Sequence, residues 1–149
     1  MKSIVRSFIY ITAPVILLSC SGKVESNMSE LIEADLAFSK LSVEKGMNHS
    51  FLEYIDDNGI LLRPSTNPIQ GREQAADYLS NVDDSRFTLS WEPLGGDIAN
   101  SGELGYTYGT YKLQIDTVIL VGTYTSIWKK DAAGKWKFVL DTGNDGLGD

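Results

Sequence analysis

Cysteine, histidine and basic residues are scarce in this sequence, and each scarcity narrows what the protein can do. The single cysteine, Cys20, has no second thiol to pair with, so no disulfide within the chain stabilises the fold. The single histidine, His49, leaves no histidine cluster for a metal ion and no Ser–His or Cys–His pair except through itself. With 13 Lys and Arg against 20 Asp and Glu, the net charge of −7 argues against a nucleic-acid partner, because phosphates demand basic patches.

A hydrophobic run long enough to cross a membrane is also lacking near the N-terminus. The run Phe8–Leu18 has eleven residues, whereas a membrane-spanning helix needs about 20. Lys2 and Arg6 precede this run, and Pro14 interrupts it. A charged start followed by a short apolar run is typical of a cleaved secretory signal peptide, which we place at residues 1–19.

The end of this signal, Leu17-Leu18-Ser19-Cys20, resembles the lipobox of bacterial lipoproteins, in which the cysteine is lipidated and becomes the mature N-terminus. The alternative is an ordinary signal peptide with an incidental cysteine. Lipidation is favoured because Cys20 is the only cysteine and stands where the apolar run stops. We therefore expect a polar tether at residues 20–28 and a protein held by its lipid to a membrane of the bacterial cell envelope. Cleavage removes two positive charges and takes the net charge from −7 to −9, so surface charge would not attract anionic lipid.

The rest of the chain predicts one α+β domain at residues 29–144, followed by a frayed tail at 145–149. Hydrophobic periodicity predicts a first helix that ends at Gly46, with Leu31, Ala34, Phe38 and Leu41 on its apolar face, and two further helices at 47–55 and 72–80. Strands are predicted at 60–63, 86–100, 104–115, 118–130 and 135–142. Long, bulged strands twist and curl. We therefore expect a cone-shaped, curved antiparallel sheet with the N-terminal helices packed on its concave face.

Several short motifs follow one another along this domain. They are GILLRP at Gly59–Pro64, Trp91-x-Pro93, SGELGYTYG at Ser101–Gly109, Gly122-x-Tyr124 and Gly134-Lys-Trp136. In this order they resemble the nuclear transport factor 2-like superfamily, and within it the SnoaL-like proteins grouped as domain of unknown function 4440. The resemblance covers residues 29–144 and implies a cone with a pocket, often in a homodimer formed through the outer side of the sheet. Members include ketosteroid isomerases, polyketide cyclases, epoxide hydrolases and non-catalytic binding modules, so the fold does not choose a function.

Asp141 is the candidate catalytic residue, because enzymes of this superfamily typically use an Asp or His in the cone as a general base. Strand alternation leaves two alternatives for its side chain. If Val139 points into the cone, then Asp141 lines the pocket. If Trp136, Phe138 and Leu140 point inward instead, Asp141 faces solvent or a dimer partner.

The remaining candidates form a predicted ligand pocket. We expect some aromatic side chains to line it, with ordinary core packing as the alternative: Phe38, Tyr54, Trp91, Tyr106 and Tyr108. Arg63, at a strand end, either meets an acidic ligand or pairs with a carboxylate at the rim. The acidic pairs at 56–57 and 83–84 lie in turns, where Asp is common, so neither a metal site nor a cofactor is expected.

These observations favour a membrane-anchored ligand-binding or accessory module, whose cone holds a small apolar or amphipathic molecule or a partner protein, with no reaction assigned. The alternative is an isomerase-, cyclase- or hydrolase-type enzyme that acts on a small apolar substrate with Asp141 as its general base. A third interpretation is a structural dimeric domain whose cone is filled by its own side chains. The sequence leaves open whether the protein is an enzyme.

Overall fold

The computed structural model describes residues 28–147. The predicted signal peptide, Cys20 and the tether as far as residue 27 lie outside the described residues. No helix within the described part is long and apolar enough to cross a membrane.

Three helices pack on one face of a single sheet: α1 at Met28–Lys45, α2 at Met47–Tyr54 and α3 at Gly71–Ser80. Gly46 separates the first two with a φ of 90°, a conformation that strongly favours glycine. The buried residues of α1 are Leu31, Asp35, Phe38, Ser39 and Ser42. Polar residues therefore take part of the inward face, and the predicted Ala34 and Leu41 are only half-buried.

The sheet has six strands: β1 at Ile55–Leu62, β2 at Ile69–Gln70, β3 at Thr88–Ile98, β4 at Leu104–Ile115, β5 at Val118–Lys130 and β6 at Trp136–Asp145. Their order is β2-β1-β6-β5-β4-β3. The predicted α+β cone is confirmed, with one difference. Strands β1 and β6 run parallel, so the sheet is mixed rather than wholly antiparallel. The acidic pair at 56–57, predicted to lie in a turn, lies inside β1, where the register against β6 shifts between Ile55 and Ile60.

Two bulges change which side chains face the helices. The register of β3 against β4 shifts between Pro93 and Gly95, two residue types that commonly mark a bulge. The register of β6 against β5 also shifts, leaving Val139 as the extra residue. An extra residue reverses the alternation of a strand. Phe138 and Asp141 are consequently both buried, at 0% and 6% exposure, although strict alternation would place them on opposite faces.

Helix α1 also covers the free edge of β3. The hydroxyl of Ser39 donates to the Trp91 carbonyl at 2.8 Å and accepts from the Trp91 backbone N–H at 2.8 Å. The hydroxyl of Ser42 donates to the carbonyl of Leu89 at 2.8 Å. These bonds satisfy backbone groups that an edge strand would otherwise leave open, and they fix Trp91 beside the helix.

An aromatic cluster centred on Phe38 fills the middle of the cone. The Phe38 ring lies within 6.0 Å of five other rings, measured between centroids: Phe51, Tyr54, Trp91, Trp128 and Phe138. Phe38 is 1% exposed. Phe38 thus fills the space where the helices meet the sheet, and any pocket must lie beside it.

Candidate functional site

A cavity of about 160 Å³ lies beside the aromatic cluster, between α2 and the concave face of the sheet. Its wall is aromatic and aliphatic with a few polar groups: Met47, Phe51, Arg63, Pro64, Leu89, Trp91, Tyr111, Tyr124, Asp141, Thr142, Gly143 and Asp145. For scale, an engineered apolar cavity of roughly 150 Å³ binds benzene. This cavity therefore has room for about one substituted benzene ring.

Behind the wall lies Asp35, a fully buried carboxylate on α1. Its Oδ1 accepts a hydrogen bond from Trp91 Nε1 at 2.8 Å, and its Oδ2 accepts one from the Tyr124 hydroxyl at 2.7 Å. Burial raises the pKa of Asp35, and the hydrogen bonds from Tyr124, Trp91 and Thr107 only partly oppose that shift. Trp91 and Tyr124 stand on the cavity wall and Asp35 does not. Asp35 can therefore act on a bound molecule only through these two side chains.

Asp141 forms a partly buried ion pair with Arg63 on the same wall. Its Oδ1 accepts from Arg63 Nη2 at 2.7 Å, and its Oδ2 accepts from the Ser126 hydroxyl at 2.7 Å. Arg63 Nη1 also donates to the carbonyls of Leu62 and Asp141, and the guanidinium carbon lies 5.2 Å from the centroid of the Phe51 ring. The pair joins β1 to β6. Each carboxylate oxygen already accepts one hydrogen bond, so a proton on a bound molecule would have to reach a remaining lone pair of Asp141.

A second polar pair lies on the wall at the end of β6. The Tyr111 hydroxyl donates to Asp145 Oδ1 at 2.7 Å. Burial, followed by the hydrogen bond and the negative charge of Asp145, raises the pKa of Tyr111 to about 12. Tyr111 therefore stays a neutral hydrogen-bond donor at physiological pH.

The structure brings three predicted site residues together and leaves two others in the core. Arg63, Trp91 and Asp141 all lie on the cavity wall. Phe38 does not reach the cavity, because it is enclosed at the centre of the aromatic cluster. Tyr54 stacks on Phe38 with the ring centroids 4.8 Å apart, and it too lies off the wall.

The prediction that Tyr106 and Tyr108 line the pocket is corrected by the structure. They are 44% and 47% exposed on the convex face of the sheet, and Thr107 between them faces the helices. The reason is the space beneath α1. A Cβ added at Gly105 would stand 2.8 Å from Leu31 Cδ2, so β4 can present only small side chains on its inner face there.

Four titratable residues on or behind the wall did not emerge from the sequence as candidates: Asp35, Tyr111, Tyr124 and Asp145. A signal exists for Asp35, which lies four residues after Leu31 and three before Phe38, inside the apolar stripe of α1. A charged residue at such a position is rarely buried without hydrogen-bond partners. His49 is exposed, and no cluster of three or more metal-binding side chains occurs within residues 28–147.

We expect Asp35→Asn to remove part of the pH dependence of stability. The pKa of Asp35 is higher in the folded protein than in the unfolded chain, so the folded state binds this proton more tightly. Its contribution to the free energy of unfolding is therefore complete below the unfolded value of 3.8 and is lost as the pH rises through the folded value. Urea unfolding from about pH 4 to 8 should show the wild type losing stability relative to the variant as the pH rises. A difference that is flat, or that grows with pH, would contradict this assignment.

No protein-family model matches the chain, and no characterised protein matches it in sequence. Solved structures do match it in fold. A ketosteroid isomerase-like protein from Erwinia carotovora atroseptica has a TM-score of 0.64 and 13% identity, over 79% of this chain and 95% of that one. An NTF-2 like protein of unknown function from Shewanella oneidensis has a TM-score of 0.62 and 15% identity, over 77% and 96%. A hexachlorocyclohexane dehydrochlorinase from Novosphingobium barchaimii has a TM-score of 0.63 and 19% identity, over 80% and 87%.

At these identities the likeness shows the fold alone. The chain has the nuclear transport factor 2-like fold, which isomerase-like and dehydrochlorinase proteins also adopt.

Proposed function

We propose that the protein binds a small, mostly apolar molecule in the cavity between α2 and the sheet. The observation that carries this proposal is the cavity itself, which stays open although the aromatic cluster fills the rest of the cone. Concave, largely apolar sites with a few fixed polar groups are the usual form of small-molecule sites. The volume of about 160 Å³ limits the enclosed part of the ligand to roughly the size of one ring.

Filling the cavity with a leucine side chain tests this proposal. Gly143 lies on the wall, and a Cβ added there would meet the Thr123 carbonyl oxygen at 3.3 Å and Tyr111 Cε1 at 3.5 Å, so a side chain fits once the two strands move apart by a few tenths of an ångström. About eight non-hydrogen atoms at roughly 0.5 kcal/mol each give benzyl alcohol an expected Kd of about 1 mM. Gly143→Leu should abolish this binding in a calorimetric titration.

Thr123→Leu provides the matched control, because it adds the same side chain on the exposed opposite face of the neighbouring strand. It should bind benzyl alcohol as the wild type does. Equal binding by wild type and Gly143→Leu, or no saturable binding by wild type, would refute the proposal.

Proton transfer is a second candidate function, favoured by the contact between Asp35 and Tyr124. Asp35 has a raised pKa, and the Tyr124 hydroxyl links it to the cavity. In such a reaction Tyr124 would pass its proton to Asp35 while its oxygen took one from the bound molecule, as an isomerase requires. Deuterium uptake from D₂O into a C–H bond of a bound ketone, lost in Tyr124→Phe, would support this function over simple binding.

The proposal extends to the family and the anchor. The ordered motifs support a SnoaL-like protein of domain of unknown function 4440, and Leu17-Leu18-Ser19-Cys20 supports lipidation at Cys20 and attachment to a membrane of the bacterial envelope. Cys20→Ser should release the protein into the soluble fraction, and retention of the variant in the membrane would contradict lipidation at Cys20.

The proposal also includes a homodimer formed through the face of the sheet that carries Tyr106 and Tyr108. Sedimentation of the mature chain measures whether its mass in solution is that of a dimer.

A further inference from the structure

The charges on the cavity wall do not balance. Three charged side chains line it: Arg63, Asp141 and Asp145. Arg63 and Asp141 are paired at 2.7 Å, so their charges compensate each other. Asp145 forms no ion pair with any Lys or Arg of residues 28–147, and its carboxylate accepts only the neutral hydroxyl of Tyr111 there. The wall therefore keeps one uncompensated negative charge, at the end of β6.

Arg63 is poorly placed to receive an anionic ligand. Its guanidinium already donates to the Asp141 carboxylate and to the carbonyls of Leu62 and Asp141. A carboxylate or phosphate would have to compete with Asp141 for the same cation while approaching Asp145. Arg63 is the only cation among the lining residues, and it is already occupied, so the wall disfavours anionic ligands.

The rings on the wall favour a cation. Trp91, Tyr111 and Tyr124 stand on it together with Phe51, whose ring already lies near the Arg63 guanidinium. An aromatic ring attracts a cation through the negative potential of its face, most strongly for Trp, and such rings recognise ammonium groups in many proteins. Besides Phe51, the cavity therefore combines three aromatic rings with one carboxylate that has no ion-pair partner among residues 28–147.

The two tyrosines lie among negative charges. For Tyr111, burial raises the pKa first, and the hydrogen bond and charge of Asp145 raise it further. For Tyr124, burial again comes first, followed by the charges of Asp35, Asp141 and Glu92. Burial opposes a charge of either sign, but every charged group that shifts these hydroxyls is an acid, and Arg63 compensates only Asp141 among them. At Tyr111 the uncompensated charge of Asp145 therefore opposes a phenolate and favours an ammonium ion.

We infer that the cavity selects organic cations, taking a small amine in preference to a neutral or anionic molecule of the same size. Asp145 is the carboxylate that recognises the ammonium group, and Trp91, Tyr111 and Tyr124 are the rings that surround it. This inference rests on the proposed function and names the ligand class of that same site.

Three probes of nearly equal size test the inference: benzylamine, benzyl alcohol and benzoate, titrated into the full chain by calorimetry at neutral pH and low salt. Benzylamine should bind roughly tenfold more tightly than benzyl alcohol, and benzoate should bind more weakly than either. The advantage of benzylamine should shrink as salt screens the exposed carboxylate.

Asp145→Asn isolates the charge. Because Asp145 is exposed, its loss should weaken benzylamine binding about two- to fivefold and so narrow the preference over benzyl alcohol. Asp77→Asn removes the same charge from the exposed side of α3, away from the cavity, and should change neither probe. If benzyl alcohol binds as tightly as benzylamine, or if Asp145→Asn leaves the preference intact, the inference is overturned and the cavity remains a binding site. If none of the probes binds, the proposed function falls with it.

Discussion

Replacing Phe38 with alanine should lower the free energy of unfolding by about 3–5 kcal/mol, the usual cost of removing a buried phenylalanine side chain. Phe38 is 1% exposed, and its ring centroid lies 4.5 Å from that of Trp91 and 4.9 Å from that of Phe51. Trp91 is fixed in place, because its backbone N–H donates to Ser39 and its indole N–H donates to Asp35. It cannot move to fill the space, so the empty volume would remain.

Urea unfolding of Phe38→Ala and Phe38→Leu measures this effect. The leucine variant keeps most of the volume and should lose less than about 1.5 kcal/mol. If Phe38→Ala lost no more stability than Phe38→Leu, the cluster would not depend on this ring as the structure indicates.

The second large effect is expected at the ion pair on the cavity wall. Arg63→Ala would leave Asp141, whose side chain is 9% exposed, without its cation. Loss of one partner from a buried pair costs 3–5 kcal/mol, and we expect about 3 kcal/mol because the Arg63 side chain is 20% exposed. Removing both charges, with Arg63→Met and Asp141→Leu together, should restore most of that loss, since no unpaired charge then remains buried.

The pair of Lys40 and Glu44 on α1 provides the control. Its side chains are 75% and 54% exposed, so Lys40→Ala should cost less than about 0.5 kcal/mol. Thermal or urea unfolding of all four proteins gives the comparison. A double variant as unstable as Arg63→Ala alone would mean that the loss comes from packing rather than from the uncompensated charge.

The direction of the Asp141 side chain could not be predicted from the sequence alone. Alternation along β6 offered two incompatible faces, one that buried Phe138 and one that turned Asp141 inward. The register shift at Val139 allows both to face the helices. No glycine or proline at Val139 marks that bulge, in contrast to the one next to Pro93 and Gly95. The class of fold and most element positions follow from periodicity, whereas this local shift depends on how β5 and β6 pair.

The buried polar residues of α1 were not predicted, for a different reason. Periodicity assigns residues to a face by their hydrophobicity, so it passed over Asp35, Ser39 and Ser42 in favour of Ala34 and Leu41. Their burial becomes favourable only when Trp91 and Tyr124, more than fifty residues later, supply donors to Asp35. Polar contacts between distant segments depend on the assembled fold, and so does the volume left open beside Phe38.

The central claim, that a small molecule binds in this cavity, is tested most directly by the three tryptophan indole N–H signals in a ¹⁵N correlation spectrum. Trp91 lies on the cavity wall and donates its indole N–H to Asp35, whereas the Trp136 ring lies 5.0 Å from the Lys130 ammonium, away from the cavity. Titration with benzyl alcohol should shift the Trp91 signal to saturation and leave that of Trp136 unchanged. A Trp91 signal that does not move, or one that moves in parallel with that of Trp136, would contradict binding at this site.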